Sequence, residues 1–113
     1  MYYVKIFPNV YVVNSTNEAL KDIHLTLEGV EGLDIRIKKI SKNMMEAKAI
    51  TTTKAKTHKS LFMYHFDNNN LKHEYLISDS IIWGDNRDIK IDILDINEDG
   101  TYKIIVDKGF VLK

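Results

Sequence analysis

The chain has 113 residues, of which 44% are hydrophobic and 28% charged, with equal numbers of basic and acidic side chains. Such a length and composition give one folding unit with its own core, and exclude a disordered chain or a multidomain one. The absence of cysteine excludes disulfides, thiolate metal sites and a thiol nucleophile.

Zero net charge hides an imbalance. Residues 1–60 hold ten Lys/Arg and six Asp/Glu, a net of +4; residues 61–113 hold six and ten, a net of −4. In a sandwich the two halves are expected to interleave, so this need not give two charged faces. A dedicated nucleic-acid binder would be basic overall. The opening "MYYVKIFPNVYVV" has no basic leader, is interrupted by Lys5 and Pro8, and precedes no small-residue cleavage site, so it does not read as a secretory signal. No apolar run approaches the roughly twenty residues that span a bilayer. A cytoplasmic location is the expectation.

Period-two alternation dominates, and it predicts strands. "YYVKIF" (Tyr2–Phe7) and "VYVVN" (Val10–Asn14) flank Pro8, which lacks an N–H and marks a bulge, an edge or a change of sheet. "TNEALKDI" can form one helical turn capped by Thr16 or Asn17. "IHLTLE" (Ile23–Glu28) turns Ile23, Leu25 and Leu27 to one face, and "LDIRIKKI" (Leu33–Ile40) turns Leu33, Ile35 and Ile37 inward. "SKNMMEAKAI" holds good helix formers, but "AKAITTTK" prefers a strand, placed at Glu46–Thr52. "SLFMYHF" (Ser60–Phe66) is apolar on both faces and reads as a central strand. "KHEYLI" (Lys72–Ile77) follows the turn Asp67–Asn70. "DIKIDIL" (Asp88–Leu94) and "TYKIIVD" (Thr101–Asp107) close the chain, burying Ile89, Ile91 and Ile93, then Tyr102, Ile104 and Val106.

About eight strands at roughly ten-residue spacing, with little or no helix, predict a single all-β domain over residues 1–113: a two-sheet antiparallel sandwich. A partly open barrel is the rival. The layout of "VYVVNSTNEALKDIHLTLEG", "IRIKKISK", "KHEYLI" and "IKIDILDINEDGTYKIIV" resembles small immunoglobulin-like sandwich proteins of Gram-positive bacteria. The resemblance covers most of the chain and consists of pattern and turn chemistry; it implies a fold and no activity. The cysteine–tryptophan–cysteine core of antibody domains is missing.

"DINEDGTY" (Asp95–Tyr102) matches the opening of a calcium loop. Position nine, however, is Lys103, and position twelve, where a bidentate carboxylate belongs, is Val106. A hairpin turn with Gly100 at positive φ explains it better. His65 and His73 lie on adjacent predicted strands near Asp67 and Glu74, a weak zinc constellation without a defined third ligand; the alternative is a pair of partly exposed strand histidines. No serine sits in a nucleophile motif and no glycines form a phosphate cradle. No catalytic, cofactor or metal residues are therefore assigned. "NST" at Asn14 fits a glycosylation acceptor, which matters only in a secreted eukaryotic protein.

The candidate partner-binding residues are Lys54, Lys56, His58 and Lys59 in a basic loop, and Trp83 with Arg87 in "SIIWGDNRD". Lysines at that position are also a normal guard against edge pairing, and Trp83 can equally cap the core. The reading is a non-enzymatic module, monomeric or weakly dimeric, that binds another protein. Nucleic-acid binding through the lysines is the alternative, and a metal-dependent enzyme at His65 and His73 ranks below it.

Overall fold

In a computed structural model of the chain, which describes residues 8–29, 33–50, 57–82 and 87–109, alternating sequence becomes alternating burial. The strands are β1 (Asn9–Asn14), β2 (Leu20–Leu27), β3 (Asp34–Ile40), β4 (Met45–Ala49), β5 (Lys59–Phe66), β6 (Lys72–Ile81), β7 (Ile89–Ile96) and β8 (Tyr102–Lys108). They form two four-stranded sheets, ordered β4-β1-β7-β8 and β3-β2-β5-β6. Among the described residues no helix is long and apolar enough to cross a membrane.

Two expectations change. The sheet β3-β2-β5-β6 is antiparallel throughout, but β1 runs parallel to β7, Val10 opposite Ile89 through Asn14 opposite Ile93, so the other sheet is mixed. A tight hairpin forces antiparallel pairing, and β1 and β7 are joined by most of the chain, so nothing imposes it on them. No helical turn forms in "TNEALKDI": Leu20–Ile23 already belong to β2. The segment Tyr2–Phe7 lies outside the described residues, as do Thr51 and Thr52 of the predicted fourth strand.

The core lies between the sheets. Val10 and Val12, Ile23 and Leu25, Leu61 and Met63, and Ile91 and Ile93 are buried there, two from each of four inner strands. Each such side chain is worth about 1.5–3 kcal/mol relative to exposure. In β2 the alternation slips: Lys21 and Asp22 are both exposed between buried Leu20 and Ile23. Asp22 takes φ of 54°, a left-handed twist that returns Ile23 to the core. Opposite it, β3 slips in step, with Lys38 and Lys39 exposed between buried Ile37 and Ile40.

Buried Asn14 closes the corner between β1 and β2. Its Nδ2 donates to the carbonyls of Glu18 (2.8 Å) and Ile40 (2.9 Å); its Oδ1 accepts from the Thr16 N–H (3.0 Å) and hydroxyl (2.6 Å). A side chain so engaged and fully buried is no glycosylation acceptor in the folded protein.

The strand orders also overturn the expectation that the halves interleave. Strands β1 to β4 fill one flank of the sandwich, ending at the edges β3 and β4, and β5 to β8 fill the other, ending at β6 and β8. Among the described residues the first flank is nearly balanced, with six Lys/Arg and five Asp/Glu, and the second is acidic, with six and nine; Lys5, Lys54 and Lys56, which supply much of the first half's basic excess, lie outside them.

Candidate functional site

The outer face of the β3-β2-β5-β6 sheet carries a row of outward-facing aromatic side chains. Strand β5 turns Leu61, Met63 and His65 into the core and Phe62, Tyr64 and Phe66 outward. Its two-faced apolar pattern does mark a central strand, flanked by β2 and β6, but its second apolar face meets solvent. Across the pairing, Leu76 stands opposite Phe62, and His24 and Glu74 flank Tyr64. Phe66 is 47% exposed and Leu76 56%.

Tyr64 is fixed on this face from all sides. Its ring stacks on His24 with centroids 4.5 Å apart, Lys72 Nζ lies 4.3 Å from its centroid, and Phe66 meets it edge-on at 6.0 Å. The Tyr64 hydroxyl donates to Asp34 Oδ2 (2.7 Å), while His24 Nδ1 meets Asp34 Oδ1 (2.8 Å). Burial pushes the Tyr64 phenol up to about 12, and its bond to Asp34 adds to this. Burial also raises Asp34, but the bonds from Tyr64 and His24 outweigh it and hold the carboxyl below its ordinary value. Beside them Arg36 is paired with Asp22, whose carboxyl it lowers, and Lys72 with Glu74. The rim thus carries both signs around an apolar centre.

A second cluster sits at one end of the sandwich. His65 and His73 do meet across the hairpin as the sequence suggested, in direct register with ring centroids 5.3 Å apart. They are not a partly exposed pair, however: His65 is 1% exposed. It stacks on Tyr102 of the opposite sheet at 3.7 Å and bonds through Nε2 to the Tyr75 hydroxyl (2.8 Å), which also accepts the Tyr102 N–H (2.6 Å). Burial, then the nearby His73, depress the His65 pKa to about 4. His73 Nε2 is taken up by Asp67 Oδ2 (2.8 Å), whose carboxyl it lowers; Asp67 Oδ1 accepts the N–H groups of Asn69 and Leu71. Among the described residues no three His, Cys, Asp or Glu side chains are placed to hold a metal ion. These rings lock two sheets together beside a cleft of about 320 Å³, bordered by Glu18, Lys21, Asp67 and Tyr102.

The calcium-like segment is a hairpin turn. The Gly100 N–H donates to the Asn97 carbonyl, and Asp99 Oδ1 is consumed by the N–H and hydroxyl of Thr101, which lower its carboxyl.

Three of the six candidates named from sequence fall among the described residues. Lys54, Lys56 and Trp83 lie outside the described residues. His58 is exposed just before β5, and Lys59 opens that strand with its Nζ over Gly29. Arg87 is exposed at the start of β7, beside Ser78, Ile81, Ile89 and Lys108. Sequence reading missed the outer aromatic row. Its signal was present in "LFMYHF", where aromatics occupy every second position.

No family model matches the chain, and no curated protein matches it. Its fold is similar to that of a protein from Eubacterium rectale solved by NMR, with a TM-score of 0.61 over 93% of this chain and 92% of that one. At 11% identity the likeness is one of fold alone.

Proposed function

We propose that this protein is a non-enzymatic protein-binding module whose contact surface is the outer face of the β3-β2-β5-β6 sheet. The observation that carries this is the outward row of half-buried Phe62 and Tyr64 and exposed Phe66, with exposed Leu76 beside it, on a face that has no covering element among the described residues. Sheet faces turned to water are ordinarily polar, and aromatic clusters on them mark recognition surfaces. The mixed rim favours a protein partner: Asp34 and Glu74 lie where a phosphate chain would be repelled, and Arg36 and Lys72 are already paired with Asp22 and Glu74. Tyr64, held by four neighbours, is already in place, so little side-chain entropy is lost on contact. The packing of two four-stranded sheets supports an immunoglobulin-like architecture, with the parallel β1–β7 pair as this chain's own variation. The cytoplasm is the compartment we assign to it.

The test compares the folded protein with Phe66→Ala/Leu76→Ala as baits in nuclease-treated lysate of the source organism. A specific protein held by the first and weakened about 30-fold or more by the double substitution supports the reading, since hot-spot loss is about 2 kcal/mol or more. Equal retention by both baits overturns it, and so does material that disappears with nuclease.

A further inference from the structure

The opposite flank carries a second feature, which shares only Arg36 with the rim of the aromatic face. Where the edges β3 and β4 come together, a groove of about 300 Å³ is lined by Arg36, Ile37, Lys38, Lys39, Glu46 and Lys48. Glu46 and Lys48 stand opposite Val12 and Val10 of β1, so they share the inward side of their sheet at the seam between the layers. Among the described residues Lys38, Lys39 and Lys48 make no ion pair. Lys39 also faces Lys21 directly across the β2–β3 pairing, and like charges placed so are unfavourable. The groove is therefore cationic beyond what its own acids neutralise.

We propose that this seam binds an extended acidic segment of a partner protein, laid along the β3 and β4 edges with its carboxylates on Lys38, Lys39 and Lys48. Two observations select a peptide over a nucleic acid. Among the described residues β3 pairs only with β2, and β4 only with β1, so each offers main-chain donors and acceptors that a peptide strand satisfies and a phosphate chain does not. Among the described residues no aromatic ring lines the groove to stack a base, and Glu46 would repel a continuous run of phosphates. Lysines on an edge ordinarily repel further strands. An acidic strand neutralises them, so the same side chains reject neutral or basic segments and admit acidic ones.

The probe is a fluorescein-labelled peptide of alternating Glu and Thr, followed by anisotropy, with a Gln/Thr peptide and an oligothymidylate of equal charge as comparisons. The expected result is binding of the Glu/Thr peptide that weakens with salt, falls at least tenfold in Lys38→Glu/Lys48→Glu, and is unchanged in Lys103→Glu/Lys108→Glu and in Phe66→Ala/Leu76→Ala. Amide shifts in β3 and β4 should accompany it, and circular dichroism confirms that each variant is folded. Absence of binding at low salt overturns the proposal. It is equally overturned by tighter binding of the oligothymidylate, equal binding of the Gln/Thr peptide, or the same loss in the Lys103/Lys108 variant. Because the aromatic variant is a separate arm, failure here leaves the sheet-face reading standing, and the reverse.

Discussion

Replacing Gly100 with alanine tests how the two hairpins meet at the end of the sandwich. Gly100 has φ of 88°, and a Cβ built there would lie 2.8 Å from Asp67 Cβ. Asp67 has no room to retreat, because its carboxylate is held by the N–H groups of Asn69 and Leu71 and by His73. The left-handed backbone alone costs an alanine about 1–2 kcal/mol, and overpacking adds about 1–3 kcal/mol. Gly109 separates the two contributions: its φ is 76°, but among the described residues nothing lies within 4 Å of a Cβ there. Gly109→Ala should therefore lose only the conformational part, and Gly100→Ala about 1–3 kcal/mol more. Urea unfolding followed by circular dichroism measures both, and in a domain of this size each kcal/mol corresponds to roughly 4 °C or more in Tm. Equal losses in the two variants, within about 0.5 kcal/mol, would refute the close approach of the hairpins.

The buried His65 should make stability fall with acid. Its folded pKa of about 4 lies below the ordinary 6.5, so between those values the unfolded chain binds the extra proton, and roughly 3 kcal/mol is lost as pH drops through that window. His65→Phe, which keeps a ring against Tyr102, should flatten the urea midpoint between pH 6.5 and 4; an unchanged slope would assign the loss elsewhere. Asp34, Asp67 and Asp99, all lowered, should add their own loss only below about pH 4, as they protonate. Asn14→Ala should cost about 2–4 kcal/mol by removing the side-chain partner of the Ile40 carbonyl and of the Thr16 N–H, while the Glu18 carbonyl keeps the Thr16 hydroxyl; a loss under about 1 kcal/mol in urea would mean that water replaces the amide. Leu61→Ala should cost about 2–5 kcal/mol and Phe66→Ala under about 1 kcal/mol, although they lie on one strand; similar losses would show that Phe66 is covered in solution.

The strands themselves were legible in the sequence because their signal is local. Ile23, Leu25 and Leu27, or Ile89, Ile91 and Ile93, need only a two-residue period to find the core, and Asn97–Thr101 needs only its turn chemistry. Alternation also placed His65 opposite His73. It did not reveal that His65 is sealed beneath Tyr102, because that ring arrives from the other sheet. Nor did it tell which apolar face of β5 is inside: Leu61–Met63–His65 and Phe62–Tyr64–Phe66 alternate equally well, and only the opposing sheet decides between them. The parallel β1–β7 pair and the side-by-side placement of the two halves are likewise properties of strand order, which joins residues far apart in the chain. The sequence by itself determined the strands, the turns and an uneven charge. Tertiary structure decided that lysines of β3 and β4 meet along one seam and that an aromatic row faces outward, because both depend on which strands become neighbours.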